Sequence, residues 1–267
     1  MRSSTRKYEL PFGASGQNGL FPRWTNANIA LIPLQKEGMV FKRLGHGLKT
    51  PVTSIKGYVQ LLLMMIEDKK EVKAPPEFRT SLVRIENQVW QLSRMISDMI
   101  DLGGIDKGTL KIKHETFCLN ELLDTVVQNI GAIMPNGVVS VMCDKDIYIQ
   151  GDKARLYDVL MTLLTNAIKY SPASEPVELS IHQATKKSIA ISVKDRGIGI
   201  EKKEHKKIFR RFYRIPGKDN ETYPGLGIGL YIAQKIIKKH QGEIGVESEK
   251  GKGATFTFVL PTAVQTR

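Results

Sequence analysis

Three glycine-rich segments mark the places where this sequence could hold a phosphate. Asp195-Arg-Gly-Ile-Gly-Ile follows directly on an apolar strand, Gly225-Leu-Gly-Ile-Gly-Leu leads directly into a helix, and Gly251-Lys-Gly-Ala-Thr precedes the last strand. Glycine ahead of a helix lets backbone N–H groups and the helix dipole meet a phosphate. Taken singly, each segment reads as a tight turn. Three in this order, downstream of a helix bearing Asn166, exceed what turns alone explain. Other chemistries lack their residues: there is no GxxxxGK(S/T), no GxSxG and no HExxH. His46, His114, His182, His205 and His240 are too far apart in sequence to suggest a local zinc site. Cys118 and Cys143 make neither a disulfide framework nor a CxxC pair, which fits a reducing cytoplasm.

The charge has an address. Of the 267 residues, 40 are basic and 27 acidic, for a net +13. Residues 1–35 and 36–104 carry +3 each, 105–200 and 241–267 are neutral, and 201–240 carry +7. An anionic partner is expected, and the concentration over the glycine-rich region favours a nucleotide over nucleic acid. The neutral 105–200 stretch, aromatics at 7% and the lack of a helix-turn-helix pattern count against a DNA-binding module. Tyr58 to Ile66 is too short an apolar run to span a bilayer, and no signal peptide opens the chain, so no membrane segment is expected in it.

These segments must be positioned by two kinds of element. Residues 1–35 lack periodicity and read as an irregular extension of unassigned function. Leu44, Leu48, Val52, Ile55, Val59, Leu62 and Ile66 recur at three or four and form one face of a helix. Pro75-Pro76 breaks it. Phe78, Leu82, Ile85, Val89, Leu92, Ile96 and Met99 then form a heptad seam that Gly103-Gly104 is expected to end. Two such helices make an antiparallel hairpin over 36–104. Alone it buries too little, so pairing with a second copy into a four-helix bundle is predicted. Residues 105–267 then alternate short strands (110–117, 138–142, 177–182, 188–193, 243–246, 255–260) with helices (120–133, 154–170, 228–240), a mixed α/β domain of single-core size.

The glycine segments are only part of an ordered set. Thr162-Leu-Leu-Thr-Asn166-Ala-Ile-Lys-Tyr-Ser-Pro, Asp195-x-Gly-x-Gly, Ile208-Phe-Arg-Arg-Phe-Tyr-Arg214 and Gly225-x-Gly-x-Gly-Leu resemble the N, G1, F and G2 boxes of sensor histidine kinases. Gly45-His46-Gly-Leu-Lys-Thr-Pro51 resembles their phosphoacceptor box. The resemblance runs from about residue 36 to 262 in the family's order. It implies a dimerisation and phosphotransfer hairpin followed by a Bergerat-type α/β sandwich that binds ATP and Mg²⁺, in a homodimer serving a response-regulator receiver domain. Asn166 would hold Mg²⁺ through its amide oxygen. Lys169 would lie near the triphosphate, Tyr170 against the adenine, and Asp195 would accept from the adenine amino group. Gly197 and Gly199 would let the base approach, Arg214 would reach the phosphates, and Gly225, Gly227, Gly229 and Leu230 would close over them. Gly253 and Thr255 would line the adenine floor, with Phe209 and Phe212 packing in the core. Lys49, Thr53, Lys56 and Tyr58 would meet the receiver.

His46 lies two residues from Leu44 and from Leu48, roughly 200° around the helix from their face, so it points outward beside a Thr-Pro step. Its neutral imidazole, with a pKa near 6.5, suits attack on a γ-phosphorus without a special base. Two departures qualify the resemblance. Gly47 stands where the family usually has an acidic residue, which implies weakened autophosphorylation, and Thr162 replaces the first Asn of the N box. Thr50 matches the position associated with dephosphorylating the partner. Two other readings remain: a catalytically weak ATP-binding scaffold or phosphatase, which Gly47 keeps open, and another ATPase of the same nucleotide fold. The latter's activating Glu would stand where this chain has Thr162.

Overall fold

The computed structural model describes residues 5–8, 53, 55–57, 59–60, 62–64, 76–134, 137–143, 146–172, 175–185, 187–216 and 226–261. They fall in two units, residues 16–110 and residues 1–15 with 111–267.

In the first unit, residues 53, 55–57, 59–60 and 62–64 are helical, and α1 spans Pro76–Asp106. Pro76 opens α1 because proline's fixed φ suits a first helical position and its missing N–H would have no partner there. The helix does not stop at Gly103-Gly104. It runs on to Asp106 and ends at Gly108, φ +67°, while the Thr109 and Leu110 N–H groups return to the Gly104 carbonyl at 2.8 and 3.1 Å. That left-handed stop needs glycine at 108, whereas at 103 and 104 glycine costs only propensity.

The heptad seam separates into two rows. Leu82, Val89 and Ile96 are buried, whereas Ile85, Leu92 and Met99 are exposed at the same seven-residue interval. On the preceding helix Val59 is buried while Ile55 and Leu62 are exposed. Gln60 Nε2 donates to Glu86 Oε1 at 3.0 Å and ties the two helices together. One apolar row is therefore covered within the chain and the other is bare.

The second unit contains β1 (Thr5–Tyr8), β2 (Glu115–Cys118), α2 (Leu119–Ile133), β3 (Val139–Met142), β4 (Tyr148–Gly151), α3 (Lys153–Tyr170), β5 (Val177–Thr185) and β6 (Ser188–Lys194). A 3₁₀ turn (Lys202–Glu204), α4 (Gly229–Lys239), β7 (Glu243–Ser248) and β8 (Ala254–Pro261) follow. The sheet order is β1-β3-β5-β6-β8-β7, with only β3 and β5 parallel. β2 and β4 form a separate antiparallel pair. The mixed sheet is that expected of the α/β domain.

Strand register makes the sheet two-faced. Ile181, Ile191, Phe258 and Ile244 align in one row, and Leu179, Val193, Phe256 and Val246 in the next. α3 lies on β5 and β6, α4 on β7 and β8, and α2 packs beside α3. The opposite face is polar: Ser192 and Thr257 share a hydrogen bond at 2.8 Å, and Lys194 pairs with Glu178 at 3.2 Å. α3 is the core of the unit, with Val159, Leu160, Leu163 and Leu164 all at 0% exposure. Asp152 caps it, accepting from the Arg155 N–H at 3.0 Å.

Three sequence expectations need correction here. Residues 1–35 are not wholly irregular, because Thr5–Tyr8 pairs with β3. The alternation of 110–114 does not make a strand: the Leu110 and Lys113 amides bond to the Gly104 carbonyl and Asp152 Oδ2 instead. α2 begins at Leu119 rather than at Asn120, and Asn120 lies inside it, accepting from the Ile147 N–H and donating to Cys143 Sγ.

Candidate functional site

The C-terminal end of α3, the loop after β6 and the β7–β8 turn interlock. Asp195 follows β6 on the helix side of the sheet and is buried. Its Oδ1 accepts from the Gly197 N–H at 2.8 Å and the Ala254 N–H at 3.2 Å, and its own N–H donates to the Ala254 carbonyl at 2.8 Å. Burial pushes its carboxyl above the usual 3.8, against the pull of the two amides. Among the described residues, nothing partners Oδ2. The carboxylate is thus held by one oxygen and offers the other.

Glycine is required where these loops meet. A Cβ on Gly197 would collide with the Tyr170 carbonyl, and one on Gly199, φ +64°, with the Glu249 carbonyl. The Ile198 N–H donates to the Tyr170 carbonyl, and the Gly251 N–H to the Ile198 carbonyl at 2.8 Å. Ser248 Oγ accepts from the Ile200 N–H at 2.8 Å and donates to the Gly253 carbonyl at 2.6 Å. Close backbone approach explains Gly197 and Gly199, and likewise Gly253, where a Cβ would collide with the Asp195 carbonyl, whereas Gly251, φ +82° with nothing within 4 Å of a Cβ placed there, is a turn residue.

Asn166 and Lys169 are half-buried and Tyr170 is 36% exposed, all on the last turns of α3. Among the described residues the Asn166 amide has no hydrogen-bond partner, so its oxygen is available to a cation. Thr162, four residues earlier on the same face, turns its hydroxyl back to the Asp158 carbonyl at 2.8 Å. A Cβ on Gly229 would lie 3.2 Å from Thr162 Cγ2, so the start of α4, with half-buried Leu230, sits against that face. Gly227, φ +69°, faces the Tyr213 carbonyl and Arg214 Cγ. The α3 end, the Asp195 loop, Gly227, Gly229 and Arg214 are therefore assembled around one helix.

Two assignments do not hold. Thr255 pairs with Lys194 and Glu247, and strand alternation turns it to the open polar face of the sheet. Buried Ala254 takes the helix side and gives its amide to Asp195. Phe209 is in the core, edge-on to Phe256 at 6.4 Å, but Phe212 is 53% exposed with φ +60°. His46, Gly47, Lys49, Thr50, Tyr58 and Gly225 lie outside the described residues. Thr53 is exposed and Lys56 half-buried on the first helix.

Some participants were not singled out from sequence. Ser248 bridges two loops through its hydroxyl. Ser171 Oγ, beside Tyr170, is the one buried side-chain polar atom without a hydrogen-bond partner among the described residues. Glu204 is a buried carboxylate in the basic stretch. It accepts from the Tyr213 hydroxyl and pairs with Lys207 at 3.0 Å, and both partners hold its carboxyl below the usual 4.5, Tyr213 more strongly.

A mixed sheet is covered on one face by helices, and glycine loops gather at the end of the central helix, an arrangement suited to holding a nucleotide. Residues 151–264 match the family described as histidine kinase-, DNA gyrase B-, and HSP90-like ATPase, and residues 37–108 match the His Kinase A (phospho-acceptor) domain. With the two domains in this order, the chain belongs to the sensor histidine kinases of two-component systems, and its ATPase domain is one that uses ATP. Similar proteins include the sensor histidine kinase WalK of Bacillus subtilis (31% identical over 82% of this chain and 35% of WalK) and RppB of Synechocystis (30% over 90% of this chain and 53% of RppB). The chain thus spans about a third to a half of these relatives. Full-length ShkA in complex with AMPPNP shares the fold, with a TM-score of 0.61, 21% identity, and coverage of 86% of this chain and 47% of ShkA. No described helix is long and apolar enough to cross a membrane.

Proposed function

We propose that this chain is the dimeric, ATP- and Mg²⁺-dependent core of a protein-histidine kinase. It transfers the γ-phosphoryl group to His46 and then to an aspartate of a response-regulator receiver domain. We place the phosphotransfer hairpin at residues 36–104 and the ATP-binding domain at 105–267, with no role assigned to 1–35. The observation that carries the reading is Asp195: Oδ1 is immobilised by two backbone amides, leaving Oδ2 as an acceptor for the amino group of adenine. Gly197 and Gly199 keep the neighbouring backbone bare, and Tyr170, at the helix end that Gly197 abuts, packs against the base.

Asn166 offers a hard amide oxygen, a suitable ligand for Mg²⁺, which takes few protein ligands and completes its shell with phosphate oxygens and water. Such an ion neutralises charge on the phosphates. Lys169 and Arg214 add cationic charge, and Gly225, Gly227, Gly229 and Leu230 close the site. In the transfer the neutral His46 imidazole nitrogen attacks the γ-phosphorus, the bond to the β-phosphate oxygen breaks, and ADP leaves. Bare rows on both hairpin helices support dimerisation: Ile55, Leu62, Ile85, Leu92 and Met99 are exposed along a coiled-coil seam, the surface a second copy would cover. The receiver docks near Lys49, Thr53, Lys56 and Tyr58. Thr50 supports the reverse reaction, removal of phosphate from the receiver. Cys118 and Cys143 are not joined in a disulfide, which supports a cytoplasmic setting.

Gly47 weakens self-phosphorylation because it lacks a carboxylate to orient the imidazole. The glycines on either side of His46 also loosen the helix by about 1 kcal/mol each relative to alanine. Gly47→Glu is expected to raise the initial rate of self-labelling from radiolabelled ATP. An unchanged rate would remove Gly47 from the account.

A further inference from the structure

Glu204 and Tyr213 are absorbed by none of the roles above, yet they form a partly buried polar contact in the basic 201–216 segment. Glu204 closes the 3₁₀ turn that follows the Gly197–Gly199 loop, and its side chain is 8% exposed. A carboxylate so withdrawn from water is retained only when well partnered. Its partners are the Tyr213 hydroxyl and the Lys207 ammonium. The turn is itself fixed, since the Lys207 and Ile208 amides return to the Glu204 carbonyl at 2.8 and 3.0 Å. Ile208 and Phe209 anchor it in the core.

Tyr213 lies at a junction. Its N–H bonds to the Arg210 carbonyl at 3.3 Å. A Cβ on Gly227 would approach the Tyr213 carbonyl to 2.7 Å and Arg214 Cγ to 3.1 Å. Gly227 is thus pressed against the Phe212–Arg214 backbone, and the Tyr213 side chain is fastened to the core turn.

We infer that Glu204 and Tyr213 are positioning residues for the triphosphate: their hydrogen bond fixes the Tyr213–Arg214 backbone against Gly227 and so aims the Arg214 guanidinium at the phosphate site. This rests on the proposed role of Arg214. It makes triphosphate recognition depend on a contact that touches no nucleotide.

The test uses the whole chain and calorimetric binding of AMPPNP and of adenosine to wild type, Tyr213→Phe, Arg214→Ala and the double variant, with thermal unfolding of each. Arg214→Ala is expected to weaken AMPPNP roughly tenfold or more, as loss of a charged hydrogen-bond donor does. Tyr213→Phe keeps the ring and is expected to weaken AMPPNP by roughly three- to tenfold while leaving adenosine unchanged. In the Arg214→Ala background the Tyr213→Phe effect should vanish, because residues acting through one another are non-additive. Glu204→Gln should reproduce Tyr213→Phe in part, since an amide oxygen still accepts from the hydroxyl. An Arg214→Ala variant that binds AMPPNP as wild type does would overturn the phosphate role of Arg214 and the inference with it. If Arg214→Ala weakens binding but Tyr213→Phe does not, or if the two effects simply multiply, only the positioning role is overturned. Equal loss of adenosine and AMPPNP in Tyr213→Phe would show a general structural role and overturn it as well.

Discussion

Asp195→Asn separates recognition from folding at a single atom. The variant's carbonyl oxygen must occupy the Oδ1 position, because two N–H donors, Gly197 at 2.8 Å and Ala254 at 3.2 Å, point at it. Its NH₂ group then stands where Oδ2 was and presents a donor to the adenine amino group, itself a donor. The loss is one hydrogen bond to a charged acceptor, about 1.5–3 kcal/mol, or about 10- to 150-fold in Kd, and the opposed donors push it towards the upper end. The fold responds with the other sign. Burial raises the Asp195 carboxyl in the folded state, so the folded chain holds this proton more tightly than the unfolded chain does. Its contribution to stability is therefore greatest in acid and declines as pH rises from the unfolded value of 3.8 through the raised folded one. Asparagine carries no such ionisation cost, and the nucleotide-free variant should melt at or above the wild-type temperature at pH 7. Calorimetric titration with ATP and thermal unfolding without it read the two quantities. Wild-type ATP affinity in the variant would refute the assignment of Oδ2 to adenine. A Tm several degrees lower without nucleotide would show that the carboxylate is there for the fold.

Two further predictions concern the helices. Leu92→Asp places a charge in the bare row and should weaken dimerisation by roughly 100-fold or more while the helices remain; sedimentation and circular dichroism check this, and a dimer of wild-type affinity would contradict the bare-row assignment. His240 is buried, accepts from the Asp152 N–H at 2.9 Å and donates from Nδ1 to the Ile236 carbonyl at 2.9 Å. Burial, reinforced by His114 and opposed by the Ile236 carbonyl and Asp152, lowers its pKa from 6.5. The unfolded chain therefore takes up this proton first, and stability should fall as pH drops from 6.5 towards the lowered value, by up to about 1.4 kcal/mol per pH unit from this one group. Urea unfolding at pH 7.5 and 5.5 should show the slope in wild type and its loss in His240→Ala, and equal slopes would exclude His240 as the source.

Local demands were the legible part of the fold and site. Asp195-x-Gly-x-Gly could be read because a bare backbone beside a buried carboxylate is written in adjacent residues, and α3 because its apolar positions are dense. The heptad seam was legible as a period, but the period alone does not tell the Leu82 row from the Leu92 row. That division depends on what Val59 and its neighbours already cover. Thr255 was misplaced by one residue, and in a strand one residue changes the face. β1 and β4 are four residues each, and unlike the equally short β3 with its Val138–Met142 run they carry no apolar run to mark them. The Glu204–Tyr213 and Asp152–His240 contacts span 9 and 88 residues, and no local pattern encodes such pairs. Gly103-Gly104 carried a stop signal that the helix overrode, because the left-handed turn falls at Gly108.

The central claim is tested most directly by incubating the chain with γ-labelled ATP and Mg²⁺ and comparing wild type with His46→Gln and Asn166→Ala. The account predicts a label on the wild-type protein that is labile in acid and stable in base, as a phosphoramidate is, and that is lost in both variants. ATP binding without label, phosphate release without label, or label that persists in His46→Gln would contradict it.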